Sequence, residues 1–229
     1  MFFNIYCYCK RYMDLNIFVY VLLTFCIPYL LYSNIRIRPK KGFSILFISI
    51  ISTVILLNFS LITIVGTMLL TLTLLIKKEN SHPYLYGASF LILNYEIFNI
   101  LDLNIFKFVI DYLFPISLVS GVFSSMMIGH WFLVDPTISK EGMKKIAITS
   151  TFQSLILTPL VFFEFIGQDI ASILKNVILI LFLSTSILSF ASYKSLGEKS
   201  YTGVMASTGL SYLSLIVSLG ASGGLLLLT

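Results

Sequence analysis

Residues 42–76 read GFSILFISIISTVILLNFSLITIVGTMLLTLTLLI, about 35 residues without one charged side chain. A single α-helix of that length would be about 52 Å long, whereas the hydrocarbon core of a bilayer is about 30 Å thick. One straight helix is therefore too long for a single crossing. Asn58 and Ser60 lie near the middle and suit a turn, so the stretch predicts two short spans, 43–58 and 60–76, joined by a tight hairpin.

The composition of the whole chain points to the same class of protein. Of its 229 residues, 58% are hydrophobic and 11% are charged, and the mean hydropathy is +0.97. Soluble domains have about 25% charged residues, and a soluble fold of this size could not bury so much apolar surface. The apolar runs are long and do not alternate, which favours helices over a barrel. We therefore expect an all-α, polytopic transmembrane helix bundle in contact with the lipid bilayer of the cell (inner) membrane.

Charged loops and prolines divide the rest of the chain into further spans. Pro83 and Pro115 are expected in the first turns of two of them, since proline suits that position. Asp135-Pro136 is expected to end another, and Pro159 to kink the one after it. No shift in composition separates domains, so residues 1–229 are predicted to form one transmembrane domain. The remaining spans are predicted at 16–32, 84–101, 112–134, 147–166, 173–192 and 203–228.

The distribution of positive charge supports the total of eight spans. If alternate loops are cytoplasmic, beginning with 33–41, they carry 11 of the 15 Lys and Arg residues, and the other side carries 4. If 42–76 were one helix, the best division would be 9 to 6. Cytoplasmic loops of membrane proteins are enriched in Lys and Arg, and this positive-inside rule favours eight spans with both termini outside. The net charge of +5 is thus assigned to topology, and no nucleic-acid partner is expected.

The N-terminal segment gives two weaker expectations. Cys7 and Cys9 could bind a metal or form a disulfide, but two thiols do not make a zinc site, so these cysteines and Cys26 are interpreted as incidental thiols. Residues 1–12 are expected to be dispensable, because Met13 would be a natural start and removing Lys10 and Arg11 sharpens the charge division.

Ionisable residues within predicted spans are candidates for function, because burying them in lipid is costly. Glu96, Asp111 and Glu164 fall on the fourth, fifth and sixth spans, toward the outer face. Glu96 and Glu164 could line a proton or ion pathway. The alternative is that these carboxylates lie at the headgroup level and are solvated, which is the interpretation for Asp111.

His130 lies about one turn from the inner end of the fifth span. Met127, Met126 and Phe123 precede it at helical spacing and form an apolar, polarizable face, which would suit a quinone head group or haem b. The alternative is an interfacial histidine beside an interfacial tryptophan, Trp131. His82 is predicted on the same side, so a bis-histidine haem is conceivable.

The last span carries small residues at three- and four-residue steps: Gly203, Ser207, Ser211, Ser214, Ser218 and Ser222, with Gly220 and Gly224 adding a G-x-x-x-G. Small residues on one face let helix backbones approach closely in lipid. The 203–224 face is therefore predicted to pack against protein, either within the chain or against a membrane partner or a second copy. A serine-lined pore is the alternative.

Gly129-His130-Trp131-Phe132-Leu133-Val134-x-Pro136 resembles a G-H-W-Y-L-V-x-P pattern of uncharacterised multi-span bacterial proteins. Those proteins also carry S-A-T-G-x-x-Y at the start of a late span, which Ser200, Thr202 and Gly203 match here. Tyr201 replaces the alanine, Ala206 the second tyrosine and Phe132 the tyrosine of the first motif. The resemblance covers about 15 residues and implies no mechanism. It does imply that His130 and Ser200-x-Thr202-Gly203 belong together.

Three functions follow as hypotheses. The first is a membrane subunit of an electron-transfer or energy-coupling assembly that binds a quinone or haem at His130, Trp131, Ser200, Thr202 and Gly203. The second is a small-solute or ion transporter that uses Glu96 and Glu164. The third is a structural or assembly protein without a ligand. No catalytic motif occurs and no soluble segment exceeds about 15 residues, so an enzyme is not expected.

Overall fold

The computed structural model describes residues 15–37, 41–75, 82–101, 104–136, 139–167, 170–198 and 200–228. This part of the chain is all-α, as predicted, and forms eight helices. Four of them, α5 to α8, are long and apolar enough to cross a membrane. The expectations for residues 1–12, Cys7 and Cys9 lie outside the described residues. The helices are α1 Leu15–Ile37, α2 Lys41–Leu57, α3 Leu61–Leu75, α4 His82–Leu101, α5 Ile105–Val134, α6 Glu141–Phe162, α7 Ser172–Ser195 and α8 Tyr201–Leu228.

The predicted turn between α2 and α3 is confirmed at residues 58–60. Ser60 caps α3, because its hydroxyl oxygen accepts a hydrogen bond from the backbone N–H of Thr63 at 3.1 Å. The helices on either side have 17 and 15 residues, so they are about 25 Å and 22 Å long. Each is somewhat shorter than the hydrocarbon core of a typical bilayer.

The fifth helix begins earlier than predicted, at Ile105 instead of residue 112. Its residues Phe108–Leu113 form a π-helical turn directly before Pro115. Proline has no N–H, and its ring clashes with the carbonyl one turn back, so a wider turn lets the helix continue past it. Pro115 is therefore inside the helix and does not open it. The predicted end is confirmed, since Asp135 leaves the helical region with φ −130° and ψ 87°.

The sixth helix is displaced relative to its prediction of 147–166. It begins at Glu141 and ends at Phe162. Glu141, Lys144 and Lys145, which the predicted spans leave in the loop before it, therefore form its first turns. Lysines at a helix end can extend along the helix toward water, which is why charge alone misplaces this boundary. Pro159 lies in the last turn, three residues before the helix ends.

The helices pack as a C-terminal group joined to an N-terminal group. In the first, α6 packs on α5 and α7, and α8 packs on α5 and α7; in the second, α3 packs on α4, while α1 contacts α2, α4, α5 and α6. Ser120 Oγ donates to the Leu22 carbonyl at 2.9 Å, and Ser124 Oγ to the Cys26 carbonyl at 3.5 Å. From the first contact to the second, the residue number rises by four in each helix, so α1 and α5 run parallel.

The small-residue face of α8 is buried inside the chain, which confirms that it packs against protein. Its serines are at most 3% exposed. Ser222 Oγ donates to the Pro115 carbonyl at 3.1 Å, and Thr208 lies opposite Gly129, so α8 follows α5 antiparallel for about 21 Å. Because α5 and α7 already cover this face, it is not available to a second copy or partner. Of the G-x-x-x-G pair, Gly220 is exposed and Gly224 half-buried.

Candidate functional site

The two motif segments lie together at one end of the bundle. Tyr201 donates from its hydroxyl to the Leu133 carbonyl at 3.3 Å, and its ring packs 6.4 Å from that of Phe132. Lys140 Nζ donates to the carbonyls of Glu198 and Ser200 at 3.0 and 3.3 Å, which ties the loop after α5 to the loop before α8. The same ammonium lies 5.8 Å from the centre of the Phe132 ring. The segments are thus joined mainly by aromatic and backbone contacts.

The predicted site residues differ in what they face. His130 is exposed, whereas Met126, one turn before it, is buried in the core, so these two side chains do not form one open face. Trp131 is half-buried, and its indole Nε1 is buried without a hydrogen-bond partner in the described part of the chain. Ser200 and Thr202 are exposed and bond to each other at 2.6 Å between their hydroxyl oxygens. His82 begins α4, but its side chain is not described.

Glycines of both motifs serve close packing. A Cβ built on Gly129 would lie 2.5 Å from Thr208 Oγ1 and 3.1 Å from Met143 Cε. A Cβ built on Gly203 would lie 2.5 Å from the Ser195 carbonyl oxygen. Contacts under 3.0 Å are closer than Cβ atoms normally approach, so a side chain at either position would force a neighbour to shift, and each glycine lets a neighbouring element approach the backbone.

The N-terminus of α8 carries a negative group supplied by the chain. Ser200 Oγ donates to Glu198 Oε2 at 3.4 Å, and the same carboxylate oxygen would lie 3.3 Å from a Cβ on Gly203. A helix N-terminus attracts negative charge, and here the Glu198 carboxylate supplies it. An anionic ligand at this helix end would therefore compete with Glu198.

Glu96 lies in a buried polar cluster where α1, α3 and α4 meet the hairpin turn. It is 8% exposed, and Asn58 Nδ2 donates to its Oε1 at 3.3 Å. The same amide nitrogen donates to Thr63 Oγ1 at 3.2 Å, and Thr63 Oγ1 lies 2.9 Å from the Tyr20 hydroxyl and 3.0 Å from Ser60 Oγ. The carboxyl group is therefore held by the turn, and its alternative description as a solvated surface group is wrong for this structure.

Glu164 was predicted within the sixth span, and that placement is wrong. Because α6 ends at Phe162, Glu164 lies in the following turn, exposed, with Lys175 Nζ 2.7 Å from its Oε1. The hydrogen bond from Lys175 and its positive charge hold the pKa of Glu164 below its usual value. Asp111 lies in the π-helical turn and is half-buried. Glu96 and Glu164 are held by different partners, with no contact joining them among the described residues.

A cavity of about 530 Å³ lies among α1, α4, α5 and α6, away from both motifs. Its wall is largely apolar, and it includes Lys145 and Thr149, which are both exposed. Gln153 Nε2 donates to the Tyr29 hydroxyl and to Ser117 Oγ, each at 3.2 Å. These hydrogen bonds link α6 to α1 and α5 beside the cavity, because Tyr29 and Ser117 belong to its lining. The lining residues are Phe25, Pro28, Tyr29, Phe90, Leu113, Ser117, Lys145, Ile146, Ile148 and Thr149.

This cavity was not among the sites predicted from the sequence. Tyr29 and Gln153 are polar groups near the middle of apolar helices, a signal that could have singled them out. Their pairing across 124 residues could not be read from spacing along the chain.

The serine-lined pore is not open in this structure. Serine hydroxyls on α7 and α8 pair directly, with Ser189 and Ser214 3.0 Å apart and Ser192 and Ser207 2.7 Å apart. The space left among the serines is about 10 Å³. It corresponds to roughly one water molecule and does not make a continuous passage.

Comparison with known proteins adds no relative, since no family model, curated protein or solved structure matches this chain.

Proposed function

We propose that this chain is a multi-pass protein of the cell (inner) membrane with eight spans and both termini outside. The 11 to 4 division of positive charge supports this topology. The parallel arrangement of α1 and α5 agrees with it, because an even number of reversals separates the first and fifth spans. If residues 42–76 crossed once, α1 and α5 would run antiparallel.

Labelling of single cysteines tests the topology. In a background with Cys7, Cys9 and Cys26 changed to serine, Phe59→Cys places a thiol in the hairpin turn, where Phe59 is 80% exposed. A membrane-impermeant maleimide should label it from outside intact cells. Ser139→Cys, in the exposed loop after α5, is the control and should react only after the cytoplasmic side is opened. The opposite pattern would refute the orientation.

We further propose that the cavity among α1, α4, α5 and α6 binds a quinone, and that the chain is a membrane subunit of an electron-transfer or energy-coupling assembly. The observation that carries this proposal is the cavity itself: about 530 Å³, largely apolar, with Tyr29 and Lys145 on its lining. Ligand sites are typically about 300–1,000 Å³ with a few placed polar groups. A quinone needs an apolar slot for its ring and polar groups that can donate to its carbonyl oxygens. Tyr29, whose hydroxyl exchanges hydrogen bonds with Gln153, and Lys145 are the lining residues whose donors a quinone would have to recruit from their present partners.

Extraction of the purified protein tests the quinone. Organic extraction of protein prepared in a mild detergent should yield close to one quinone per chain, and decylubiquinone should raise the melting temperature of extracted protein. Tyr29→Phe and Lys145→Gln should each weaken that rise, whereas Tyr212→Phe, on a 43% exposed tyrosine of α8, should not. Extraction of phospholipid alone, or equal responses from all three variants, would reject the quinone.

Haem b at His130 is the other branch of the same proposal. Because the imidazole is exposed, a haem bound there would lie on the outer surface of this bundle and would need a partner subunit to enclose it. A reduced-minus-oxidised absorbance spectrum of the native assembly tests this branch. Retention of a haem band in His130→Ala would show that the iron is bound elsewhere.

A transporter is the second candidate, favoured by the buried carboxyl of Glu96 beside Asn58, Thr63 and Tyr20. Intramembrane carboxyl groups often mark proton or cation routes. In proteoliposomes, Glu96→Gln should abolish proton or sodium flux if this candidate is right. Glu164→Gln should have little effect, because Glu164 is exposed and paired with Lys175. If no ligand and no flux is found, the structural or assembly function is the remaining hypothesis.

A further inference from the structure

Four helices bring serine hydroxyls together at the centre of the C-terminal half of the bundle. The group surrounds the void of about 10 Å³ and is separate from the proposed quinone cavity. Val122 and Ala147 complete its wall. Its hydroxyl-bearing residues are Ser125 of α5, Ser150 of α6, Ser189 and Ser192 of α7, and Ser211 and Ser214 of α8.

These hydroxyls are not equally satisfied. Ser189 bonds to Ser214, and Ser192 bonds to Ser211 at 3.3 Å. Ser125 Oγ and Ser150 Oγ, by contrast, are buried without a hydrogen-bond partner in the described part of the chain, although their residues are only 3% and 1% exposed. Buried polar groups in folded proteins nearly always have a partner, so two unpartnered hydroxyls on residues that line one void point to an occupant.

We propose that this void holds one buried water molecule, which bonds to Ser125 and Ser150 and fixes α5 against α6. The volume fits one water, and two unpartnered hydroxyls offer it two of the two to four bonds that a buried water makes. Every lining polar group is a neutral hydroxyl. A sodium ion would lose its hydration shell there without a carboxylate to balance its charge, which is why water is the favoured occupant.

Removing either hydroxyl should change the melting temperature in opposite directions, depending on whether the void holds water. If a water satisfies both hydroxyls, Ser125→Ala and Ser150→Ala should each lower the melting temperature by about 2–4 °C, as a loss of one hydrogen bond does in a chain of this size. If the void is dry, each change removes an unsatisfied group and should leave the melting temperature unchanged or raise it. Ser52→Ala is the control, because Ser52 is exposed and, within the described part of the chain, bonds only to its own helix, at 2.9 Å to the Ile48 carbonyl. It should have little effect.

A structure that resolves ordered water provides the direct test and does not depend on variants that fold. Density within hydrogen-bond distance of both Ser125 Oγ and Ser150 Oγ is the expected result. An empty void, or the two hydroxyls turned onto carbonyls of their own helices, would overturn the proposal. The melting temperatures in sodium chloride and in choline chloride should agree. A higher melting temperature in sodium chloride alone would show that the occupant is a cation and would overturn the proposal of a water molecule.

Discussion

The seam between α5 and α8 gives the sharpest quantitative prediction, through Gly129 of the G-H-W-F motif. In Gly129→Ala the new Cβ would meet Thr208 Oγ1 at 2.5 Å, whereas ordinary van der Waals contact begins near 3.4 Å. Thr208 cannot easily turn aside, because it is buried and its hydroxyl donates to the Val204 carbonyl at 2.8 Å. The substitution must therefore separate α5 from α8 by up to about 1 Å or break that hydrogen bond.

Two opposing terms set the magnitude. Alanine is favoured over glycine inside a helix by about 0.5–1 kcal/mol. Overpacking a tight interior costs about 1–3 kcal/mol. Gly129→Ala should thus destabilise the protein by about 1–2 kcal/mol, which corresponds to a melting temperature lower by about 2–8 °C at this chain length. Scanning fluorimetry in detergent or nanodiscs measures the shift.

Gly209→Ala is the matched control, since Gly209 lies in the neighbouring helix α8 and a Cβ there would meet nothing within 4 Å. It should gain the helix-propensity term alone and melt slightly higher than the wild type. Equal melting temperatures for the two variants, or a more stable Gly129→Ala, would refute the close packing of α5 on α8 at this point.

Two further predictions concern α8 and the turn after α6. Ser211→Leu and Ser214→Leu should each destabilise the protein by about 3 kcal/mol, because the added bulk forces α7 and α8 apart. Ala206→Leu, on the exposed face of α8, is the control and should not destabilise it. The melting temperatures of the three variants measure the difference. Glu164 has a positive φ of 60°, so Glu164→Gly relieves backbone strain but also removes the ion pair with Lys175, whereas Glu164→Gln loses the ion pair without that relief. Glu164→Gln should melt slightly below the wild type at neutral pH, and Glu164→Gly should melt above Glu164→Gln. Because the folded-state pKa of Glu164 is lowered, the ion pair with Lys175 stabilises at neutral pH. That contribution is complete above about pH 4.3, the usual pKa of a glutamate, and should be lost as the pH falls through the lower folded-state pKa of Glu164, below which the Gln variant and the wild type should converge.

Other features followed from the sequence because they depend on local properties. A run of apolar residues too long for one crossing needs a turn, and Asn58 and Ser60 were the polar residues available to make it. Pro136 ends α5 by a steric effect on the residue before it, which operates in any fold. The periodic serines of α8 indicated a buried face, since spacing along a helix determines which side chains share a side.

The tertiary structure alone decided what each face and each polar group meets. Spacing did not reveal that α8 is covered by α5 and α7 of the same chain. Nor did it reveal that the Glu198 carboxylate bonds to Ser200 and lies beside Gly203, or that Tyr29 meets Gln153 across 124 residues. The physical reason is that hydropathy fixes how deep a residue lies, while neighbours are chosen by shape and hydrogen bonding between helices that are equally apolar toward lipid.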